Sequence, residues 1–434
     1  MLTKDISQND LKLEEEIIKL RRSVEELTIL NEIATAISST MELNRLTDLI
    51  LQKCLKHIEA EQGSVMIFHE KDKVTPFHTM IRKADASTIR NPLRFDSQLT
   101  GWMLKNRHPL LINDLKKDSR FKINSDEQSF IKSLISVPLL FKGRMIGLLS
   151  IFNKKSGKEF SQEDQKLLAI IAAQSAHVIE SARLLEEEKQ LFLMQDELKK
   201  AKEIQDNLLP KVIPKIDGYD IASYILPAKD VGGDYYDFIQ LSENEIAICI
   251  GDVSGKGLPA ALLMGNLQAT IRGQCIIPSS CKERIIRANK LLYQSTDSSK
   301  FVTFFYTILD IQKNCLCYCN AGHNYPVLFH GDASYDFLDT GGVILGGISD
   351  YPFEEKITQL DKGDLLLLYS DGVSEAMSSK EIEFGVNKLI EIVKSNLSLG
   401  SGELLERIKE EIKLHTRGAA QSDDITMVIV KKGS

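Results

Sequence analysis

The stretch PAKDVGGDYYDF, residues 227–238, places Asp234 directly after two glycines and before a pair of tyrosines. It is the first of four short acidic segments in the second half of the chain. The other three are GDVSGKG at 251–257, YSDGVSEA at 369–376 and QSDDIT at 421–426. Glycine permits tight turns and lets a ligand come close to the backbone. These four segments are the candidates for a shared site.

Three of the four segments border an apolar run that predicts a β-strand. Asp252 follows IAICIG, Asp371 follows LLLLYS, and Asp423 and Asp424 precede ITMVIV. Strand ends are rigid, so carboxylates that are far apart in the sequence can converge at one edge of a sheet. Any one of these aspartates could instead cap a turn, but the four segments together favour one shared site.

Converging carboxylates repel one another unless cations lie between them. A ligand set made only of oxygen suits hard divalent ions such as magnesium or manganese. Two such ions, about 4 Å apart, can activate water and stabilise the charge on a transferring phosphoryl group. The acidic segments therefore predict metal-assisted hydrolysis of a phosphate ester.

The pattern around these segments predicts antiparallel sheets flanked by helices. From Tyr219 onward, short apolar runs predict strands, namely IAICIG, FVTFFYTILD, LCYCNAG, DLLLLYS and ITMVIVK. Helical segments are expected near 258–274, 281–294 and 402–415. Pro210 and Pro214 end the preceding helix because proline cannot continue it. We place the start of this catalytic domain at 208 and its end at 434.

The first half of the chain predicts a separate α+β domain over residues 27–183. Its β-like runs are SVMIFHE, SLISVPLLF and MIGLLSIFN, and a helix at 163–182 closes it. Apolar residues at heptad spacing flank the domain on both sides; they are Leu13, Ile17, Leu20, Val24 and Leu27 before it, and Leu184, Leu191 and Leu198 after it. We expect a coiled-coil-like helix at 1–26, with packing on its own domain as the alternative, and a coiled-coil-like helical linker at 184–207.

Composition limits the partners and the compartment. The 434 residues exceed what one core usually organises, which favours two domains. With 54 Lys and Arg against 61 Asp and Glu, the net charge of −7 gives no general attraction to nucleic acid or anionic lipid. The polar N-terminus lacks the pattern of a secretory signal, and polar residues interrupt the apolar stretch 167–185, so no membrane span is expected.

The seven cysteines are an odd number scattered along the chain, which fits a reducing compartment rather than a disulfide framework. We therefore expect a cytoplasmic protein. Cys315, Cys317 and Cys319 alternate along one predicted strand and lack the paired C-x-x-C spacing of zinc sites. We interpret them as packing residues, and Cys54, in an amphipathic helix, as a core residue.

The four acidic segments, in this order, resemble the PPM family of metal-dependent protein phosphatases, specifically its bacterial SpoIIE/RsbU branch. The resemblance begins at AKEIQDNLLP (201–210), includes NAGHNYP (320–326) and residues 361–364, and covers nearly all of 200–432. It implies an αββα sandwich with two manganese or magnesium ions at one edge. It also implies hydrolysis of phosphoserine or phosphothreonine on a regulatory protein like an anti-anti-sigma factor, in partner-switching signalling.

The same resemblance assigns roles to individual residues. Catalytic metal ligands would be Asp234, Asp252, Asp371 and Asp423, with Asp252 bridging both ions, the Val253 carbonyl adding an oxygen, and Asp371 and Asp423 on the second ion. Asp424 is a further candidate ligand; alternatively it orients the ligands, as Asp237 would. His323 is either a general acid or, as we favour, a structural residue. Lys229 and Lys256 are left unassigned.

Residues 27–183 resemble a GAF domain through LTGWMLKNRHPLLINDLKKDSRF (99–121), SLISVPLLFKGRMIGLLSIFNK (133–154) and FSQEDQKLLAIIAAQSAHVIESA (160–182). GAF domains commonly enclose a small molecule, which implies an effector of unknown identity. Asn153, Lys154, Phe160 and Asp164 partly match the NK…F…DE signature of cyclic-nucleotide-binding members. A turn followed by a helix capped by Ser161 explains the same residues. Trp102 is interpreted as a packing residue.

Three functions are consistent with this organisation. The favoured one is a dimeric, sensor-regulated protein phosphatase in which the linker helix and AKEIQDNLLP transmit a change in the GAF domain to Asp234 and Asp252. The second is a non-catalytic scaffold whose GAF domain drives ligand-dependent dimerisation. The third is a phosphoesterase acting on small molecules, which would share the chemistry but differ in how open its site is.

Overall fold

The computed structural model describes residues 43–68, 77–83, 97–121, 131–296 and 300–433, and in addition residues 16, 17, 20, 24 and 28. The chain divides into two compact units, Met1–Phe192 and Leu193–Ser434. We call them the sensory unit and the phosphatase unit, after the domains that their sequences resemble. The boundaries proposed from the sequence, at 26, 183 and 207, stay predictions.

The sensory unit is built on one antiparallel sheet with helices beside it. Its described elements are α1 (Leu43–Ile58), β1 (Ala60–Phe68), β2 (Phe77–Lys83), α2 (Ser97–Asn106), β3 (Leu110–Ile112), β4 (Leu134–Phe141), β5 (Arg144–Lys154) and the start of α3 (Gln162–Leu208). The strand order is β2-β1-β5-β4-β3. Lys142 and Gly143 join β4 to β5 with φ of 48° and 79°, the backbone of a tight hairpin. The three strands predicted from β-like runs are confirmed.

One apolar core of the sensory unit lies between the sheet, α1 and the first part of α3. Cys54 is fully buried there, which confirms it as a core residue. Ser161 and Asp164 exchange backbone hydrogen bonds at the start of α3, since Ser161 Oγ accepts from the Asp164 N–H and Asp164 Oδ2 accepts from the Ser161 N–H. Phe160 is buried just before them. The helix-cap interpretation of these residues is therefore confirmed.

Helix α3 is continuous over 47 residues. The sequence predicts a closing helix at 163–182 and a separate linker helix at 184–207, but the structure shows no break between them. The residues at the junction, ARLLEEE, are strong helix formers without glycine or proline, so the helix continues. Large apolar side chains are exposed along its middle; they are Leu184, Leu185, Leu191, Phe192, Leu193 and Met194.

Two further predictions concern helices. By length and composition α3 could cross a membrane, and 44% of its most apolar window is buried inside the protein. Of the first heptad positions, Ile17, Leu20 and Val24 are helical and exposed, and Leu13 and Leu27 lie outside the described residues. Coiled-coil pairing of either helix stays a prediction.

The phosphatase unit contains two sheets whose strands pair antiparallel, except that β13 is parallel to β10. Its strands are β6 (Tyr219–Leu226), β7 (Tyr235–Gln240), β8 (Glu245–Val253), β9 (Val302–Asp310), β10 (Cys315–Ala321), β11 (Val327–Phe329), β12 (Tyr335–Phe337), β13 (Gly341–Gly342), β14 (Lys356–Gln359), β15 (Leu365–Tyr369) and β16 (Ile425–Lys432). The first sheet, here the β8 sheet, has the order β13-β10-β9-β8-β7, with β14 also paired to β10. The second, the β15 sheet, has the order β12-β11-β15-β16-β6.

Helices cover the outer faces of both sheets. They are α4 (Leu258–Cys275), α5 (Cys281–Ser295), α6 (Asp371–Ser374), α7 (Val386–Ser395) and α8 (Ser401–His415). Helices α4 and α5 pack on the β8 sheet, and α7 and α8 pack on the β15 sheet. A third core, with residues such as Ile248 and Val428, lies between the two sheets. The predicted αββα sandwich is confirmed.

The cysteines of β10 follow the period of two along a strand. Cys317 and Cys319 belong to the core under α4 and α5, whereas Leu316 and Tyr318 belong to the core between the sheets. The prediction that these cysteines share one face is confirmed.

Candidate metal centre

Four of the predicted site residues lie at the ends of neighbouring strands in the two sheets. Asp234 directly precedes β7. Asp252 is near the end of β8, which pairs antiparallel with β7. Asp371 begins α6 two residues after β15, and Asp423 lies two residues before β16, which pairs with β15. One edge of the sandwich therefore receives carboxylates from both sheets.

The electrostatics of these residues reflect their convergence. Burial and the charges of Asp371, Asp423 and Asp424 raise the pKa of Asp252 to about 7. Burial and the charge of Asp423 raise the pKa of Asp371 to about 6. Burial, followed by the charge of Asp252, raises the pKa of Asp234 well above its usual range. Carboxylates that oppose one another's ionisation are the environment that a bound cation relieves.

The donor set fits hard divalent cations. It combines the four carboxylates with the Val253 carbonyl. The oxygen of this carbonyl lies close to Gly233, because a Cβ added at Gly233 would be 2.7 Å from that oxygen and 3.4 Å from Asp252 Oδ1. Such oxygen ligands are those that magnesium and manganese prefer. Glycine at 233 is therefore required by the close approach of the backbone to the site.

Asp424 holds the backbone of the 228–234 loop. Its Oδ1 accepts a hydrogen bond from the Ala228 N–H at 2.7 Å. Its Oδ2 accepts from the N–H groups of Gly233 at 2.6 Å and Asp234 at 3.3 Å. Both carboxylate oxygens are thus directed at peptide donors at or next to Asp234, a candidate metal ligand.

Ser370 and Thr426 link β15 and β16, the two strands that border Asp371 and Asp423. Ser370 Oγ accepts from the Thr426 N–H at 3.0 Å and donates to the Asp424 carbonyl at 3.1 Å. The Thr426 hydroxyl donates to Asp234 Oδ2. The β15–β16 pair is thereby connected to a ligand on the β8 sheet.

Lys256 lies on the exposed side of the cluster. Its Nζ is 2.8 Å from Asp423 Oδ2 and also donates to the Ser422 carbonyl. Its charge opposes the rise in the pKa of Asp371. Lys256 therefore neutralises part of the cluster from the solvent side.

Asp237 is directed away from the cluster. It is fully buried, and its carboxylate forms two hydrogen bonds with Arg272 of α4, from Nε to Oδ2 at 2.7 Å and from Nη2 to Oδ1 at 3.1 Å. The Tyr235 hydroxyl donates to the same Oδ2 at 2.7 Å. Asp237 and Tyr235 share the face of β7 that packs on α4, so Asp237 is the buried half of an ion pair under that helix.

His323 occupies a buried turn beside the cluster. Its Nδ1 lies 2.9 Å from Thr303 Oγ1, and Thr303 pairs with Asp252 across the strands. Asn320 supports the turn, because its Oδ1 accepts from the His323 N–H at 2.8 Å. Burial lowers the pKa of His323 to about 4, so the imidazole is neutral near pH 7. This favours the structural role over that of a protonated general acid.

Gln205, near the end of α3, contacts the 228–234 loop and was not identified from the sequence. Its Nε2 donates to the Gly232 carbonyl at 2.8 Å, and its Oε1 accepts from the Gly232 N–H at 3.1 Å. The side chain is buried. AKEIQDNLLP contains several polar residues, and nothing in the pattern shows that this one points inward.

Comparison with known proteins gives two family matches. Residues 242–432 match the model of stage II sporulation protein E (SpoIIE), and residues 40–180 match a GAF domain model. Both predicted resemblances are thereby confirmed.

Two curated relatives each match just over half of the chain. Protein IcfG of Synechocystis is 32% identical over 261 residues, which cover 54% of this chain and 41% of IcfG. Phosphoserine phosphatase RsbU of Bacillus subtilis is 30% identical over 246 residues, which cover 55% of this chain and 71% of RsbU. The chain thus spans less than half of IcfG and most of RsbU.

A solved structure has the same fold. The SiaA-PP2C domain of Pseudomonas aeruginosa aligns with a TM-score of 0.51 and 18% identity, covering 56% of this chain and 99% of that domain. The acidic edge of the sandwich, the family matches and the likeness to RsbU agree. The chain therefore belongs to the SpoIIE/RsbU family of PPM-type phosphatases and carries a GAF domain ahead of its phosphatase domain.

Proposed function

We propose that this chain is a metal-dependent phosphoprotein phosphatase that removes phosphate from phosphoserine or phosphothreonine on a regulatory protein like an anti-anti-sigma factor. The observation that carries the proposal is the convergence of Asp234, Asp252, Asp371 and Asp423 at one edge of the sandwich, where burial and mutual repulsion raise the pKa of three of them. The name of RsbU, a phosphoserine phosphatase, supports the substrate class.

We assign two divalent ions, manganese or magnesium, to this edge. Asp234, Asp252 and the Val253 carbonyl would hold the first ion, and Asp252 would bridge to a second ion held by Asp371 and Asp423. When bound, the ions would polarise an attacking water and neutralise the phosphoryl oxygens. We assign Asp424 to positioning, because its oxygens already accept three backbone hydrogen bonds.

The remaining residues would maintain this geometry during turnover. Asp424 fixes the loop that carries Asp234, and Thr426 orients the Asp234 carboxylate. Lys256 restrains Asp423 on the solvent side. Such supporting hydrogen bonds determine how well a metal site is formed.

Partial exposure of the ligands favours a protein substrate. Asp252, Asp371 and Asp423 are partly exposed, while Asp234 is buried beneath them. A phosphate group on the surface of another protein could therefore reach the cluster without entering a deep pocket. We also infer a cytoplasmic location without nucleic-acid or membrane partners, which the net charge of −7 supports.

The substrate class is tested by comparing a phosphoserine protein with p-nitrophenyl phosphate at equal metal concentration. We expect kcat/KM to be higher for the phosphoprotein, because the partner's surface would add binding energy. Equal values would favour the small-molecule phosphoesterase. Ligand-dependent assembly with no phosphate release from either substrate would favour the scaffold.

We further propose that α3 transmits the state of the GAF domain, with an unidentified small molecule as effector, to the metal site. Gln205 supports this proposal because it joins the last turns of α3 to Gly232 by two hydrogen bonds. Gly232 is two residues from Asp234. A change in the packing of α3 would therefore act first on the loop that carries a metal ligand.

Gln205→Ala is expected to lower phosphatase activity by about 10- to 100-fold, the usual cost of removing a residue that orients a metal ligand. The manganese concentration for half-maximal activity should rise as well. A residue with only a structural role would leave this concentration unchanged. The matched control is Glu203→Ala, an exposed position two residues earlier on α3. Unchanged manganese dependence in Gln205→Ala would contradict the proposed coupling.

A homodimer would cover the exposed apolar residues of α3. Leu184 and Leu191 are exposed one heptad apart, and Leu198 continues the series. Leu191→Asp is expected to shift the protein from dimer to monomer in sedimentation equilibrium, because it places a charge in the apolar seam. Lys189→Asp, on the other side of the helix, should leave the dimer intact. A wild-type monomer at micromolar concentration would contradict the proposal.

A further inference from the structure

A second group of metal-ligand side chains lies under the helices of the β8 sheet. It consists of Cys281 on α5, Cys317 on β10 and Glu355 just before β14, and one ligand atom from each lies within 4.8 Å of the others. We propose that this group binds a thiophilic divalent cation of the zinc type, with two thiolates and one carboxylate as ligands.

Three separate elements bring these residues together. Cys281 is the first residue of α5, after the Ser280 cap. Cys317 faces the same core from the middle of β10. Ile357 of β14 pairs with Cys317, which brings Glu355 beside it. Because the ligands come from three elements, no C-x-x-C spacing indicates the site in the sequence.

Hydrogen bonding already places the Glu355 carboxylate at the start of the helix. Its Oε2 accepts from the Lys282 N–H at 2.8 Å. The N-terminus of a helix favours anionic side chains, so α5 would stabilise this carboxylate. Burial raises the pKa of the Cys281 thiol, so its thiolate would form only with the bound ion. The Cys281 thiol donates to the Tyr306 carbonyl at 3.6 Å, and a bound ion would displace that proton.

The chemistry of the ligands distinguishes this site from the acidic edge. Thiolates select zinc-like ions over magnesium, whereas the acidic edge offers oxygen alone. Three protein ligands leave one position of a tetrahedral ion for water. Cys281 is fully buried, but Cys317 and Glu355 are partly exposed, so an ion and its water can enter from that side.

The group is also distant from the phosphatase centre. Cys317 pairs with Ile308 of β9, whereas Asp252 pairs with Thr303 of the same strand. Five residues along a strand span roughly 16 Å. An ion at this site would join α5, β10 and the chain before β14, and it would act on the stability of the β8 sheet without entering the reaction.

The test is a titration of the reduced full-length protein with Co²⁺, a spectroscopic substitute for zinc, in excess Mg²⁺ that occupies the oxygen sites. We expect a sulfur-to-cobalt charge-transfer band that saturates at one ion per chain and disappears when Zn²⁺ is added. Cys317→Ser should abolish the band. Cys315→Ser, on the same face of β10 but outside the group, should retain it.

Glu355→Gln keeps both thiols, and Glu355 lies outside the core. This variant therefore tests metal binding even if Cys317→Ser fails to fold. We expect it to weaken Co²⁺ binding at least about tenfold. The proposal is overturned if folded wild-type protein gives no charge-transfer band, if Cys315→Ser loses the band as completely as Cys317→Ser, or if Glu355→Gln binds Co²⁺ as tightly as the wild type. None of these outcomes depends on phosphatase activity.

Discussion

Asp252→Asn is expected to reduce phosphate release from a phosphoserine protein by on the order of 10²- to 10⁴-fold, since bound metal contributes several kcal/mol to stabilising the transition state. Asp252 is the residue on which the charges of Asp371, Asp423 and Asp424 converge. Replacing its carboxylate with an amide removes the proposed bridge between the two ions. The initial rate of phosphate release at saturating manganese measures the effect.

Stability measurements separate this effect from unfolding. Without metal, Asp252→Asn should be at least as stable as the wild type, because one of the mutually repelling carboxylates is gone. With manganese, the wild type should gain more in thermal stability than the variant. Asp230→Asn, an exposed aspartate four residues before Asp234, is the matched control and should behave as the wild type. Full activity in Asp252→Asn would exclude the proposed ligand set.

Arg272→Met is expected to lower the free energy of unfolding of the phosphatase unit by about 3–5 kcal/mol, the usual cost of leaving a buried charge without its partner. Asp237 is fully buried, whereas the Arg272 side chain is 48% exposed. Losing the arginine therefore leaves a carboxylate in the core whose donors, among the residues that the structure describes, are the Tyr235 hydroxyl and the Phe238 N–H. Urea denaturation followed by circular dichroism measures the change.

A double variant distinguishes the ion pair from a metal role for Asp237. Asp237→Asn combined with Arg272→Met should recover part of the lost stability, because no unpaired charge is then buried. The response of Arg272→Met to manganese should match that of the wild type. If the variant is stable but has lost its manganese response, Asp237 belongs to the metal site.

The strands that were predicted from the sequence share long, continuous apolar runs. Strands β8, β9, β15 and β16 are buried between helices and a second sheet, so nearly every position in them is apolar. Strands β11 to β14 have two to four residues each, too few for a period to be recognised. Strand β6 is partly exposed, and its sequence YDIASYIL mixes polar and apolar residues without strict alternation.

The convergence of the acidic segments could be predicted because each segment borders a strand or a glycine turn, but side-chain direction could not. Asp424 differs from Asp423 only by its position next to the 228–234 loop, which holds its carboxylate with peptide donors. The period of two along a strand places Asp237 on the same face of β7 as Tyr235, the face toward α4. The sequence pattern could therefore have shown that Asp237 does not share the role of Asp234. Gln205 could be identified only from the structure, in which the end of α3 packs on the loop at Gly232.

The most direct test of the central claim is phosphate release from a phosphoserine protein by the full-length chain, with manganese and then with excess chelator. We predict release that requires manganese, stops on chelation and is lost in Asp371→Asn while that variant stays folded. Release that continues in chelator, or that Asp371→Asn retains, would contradict a metal-dependent phosphatase built on this acidic edge.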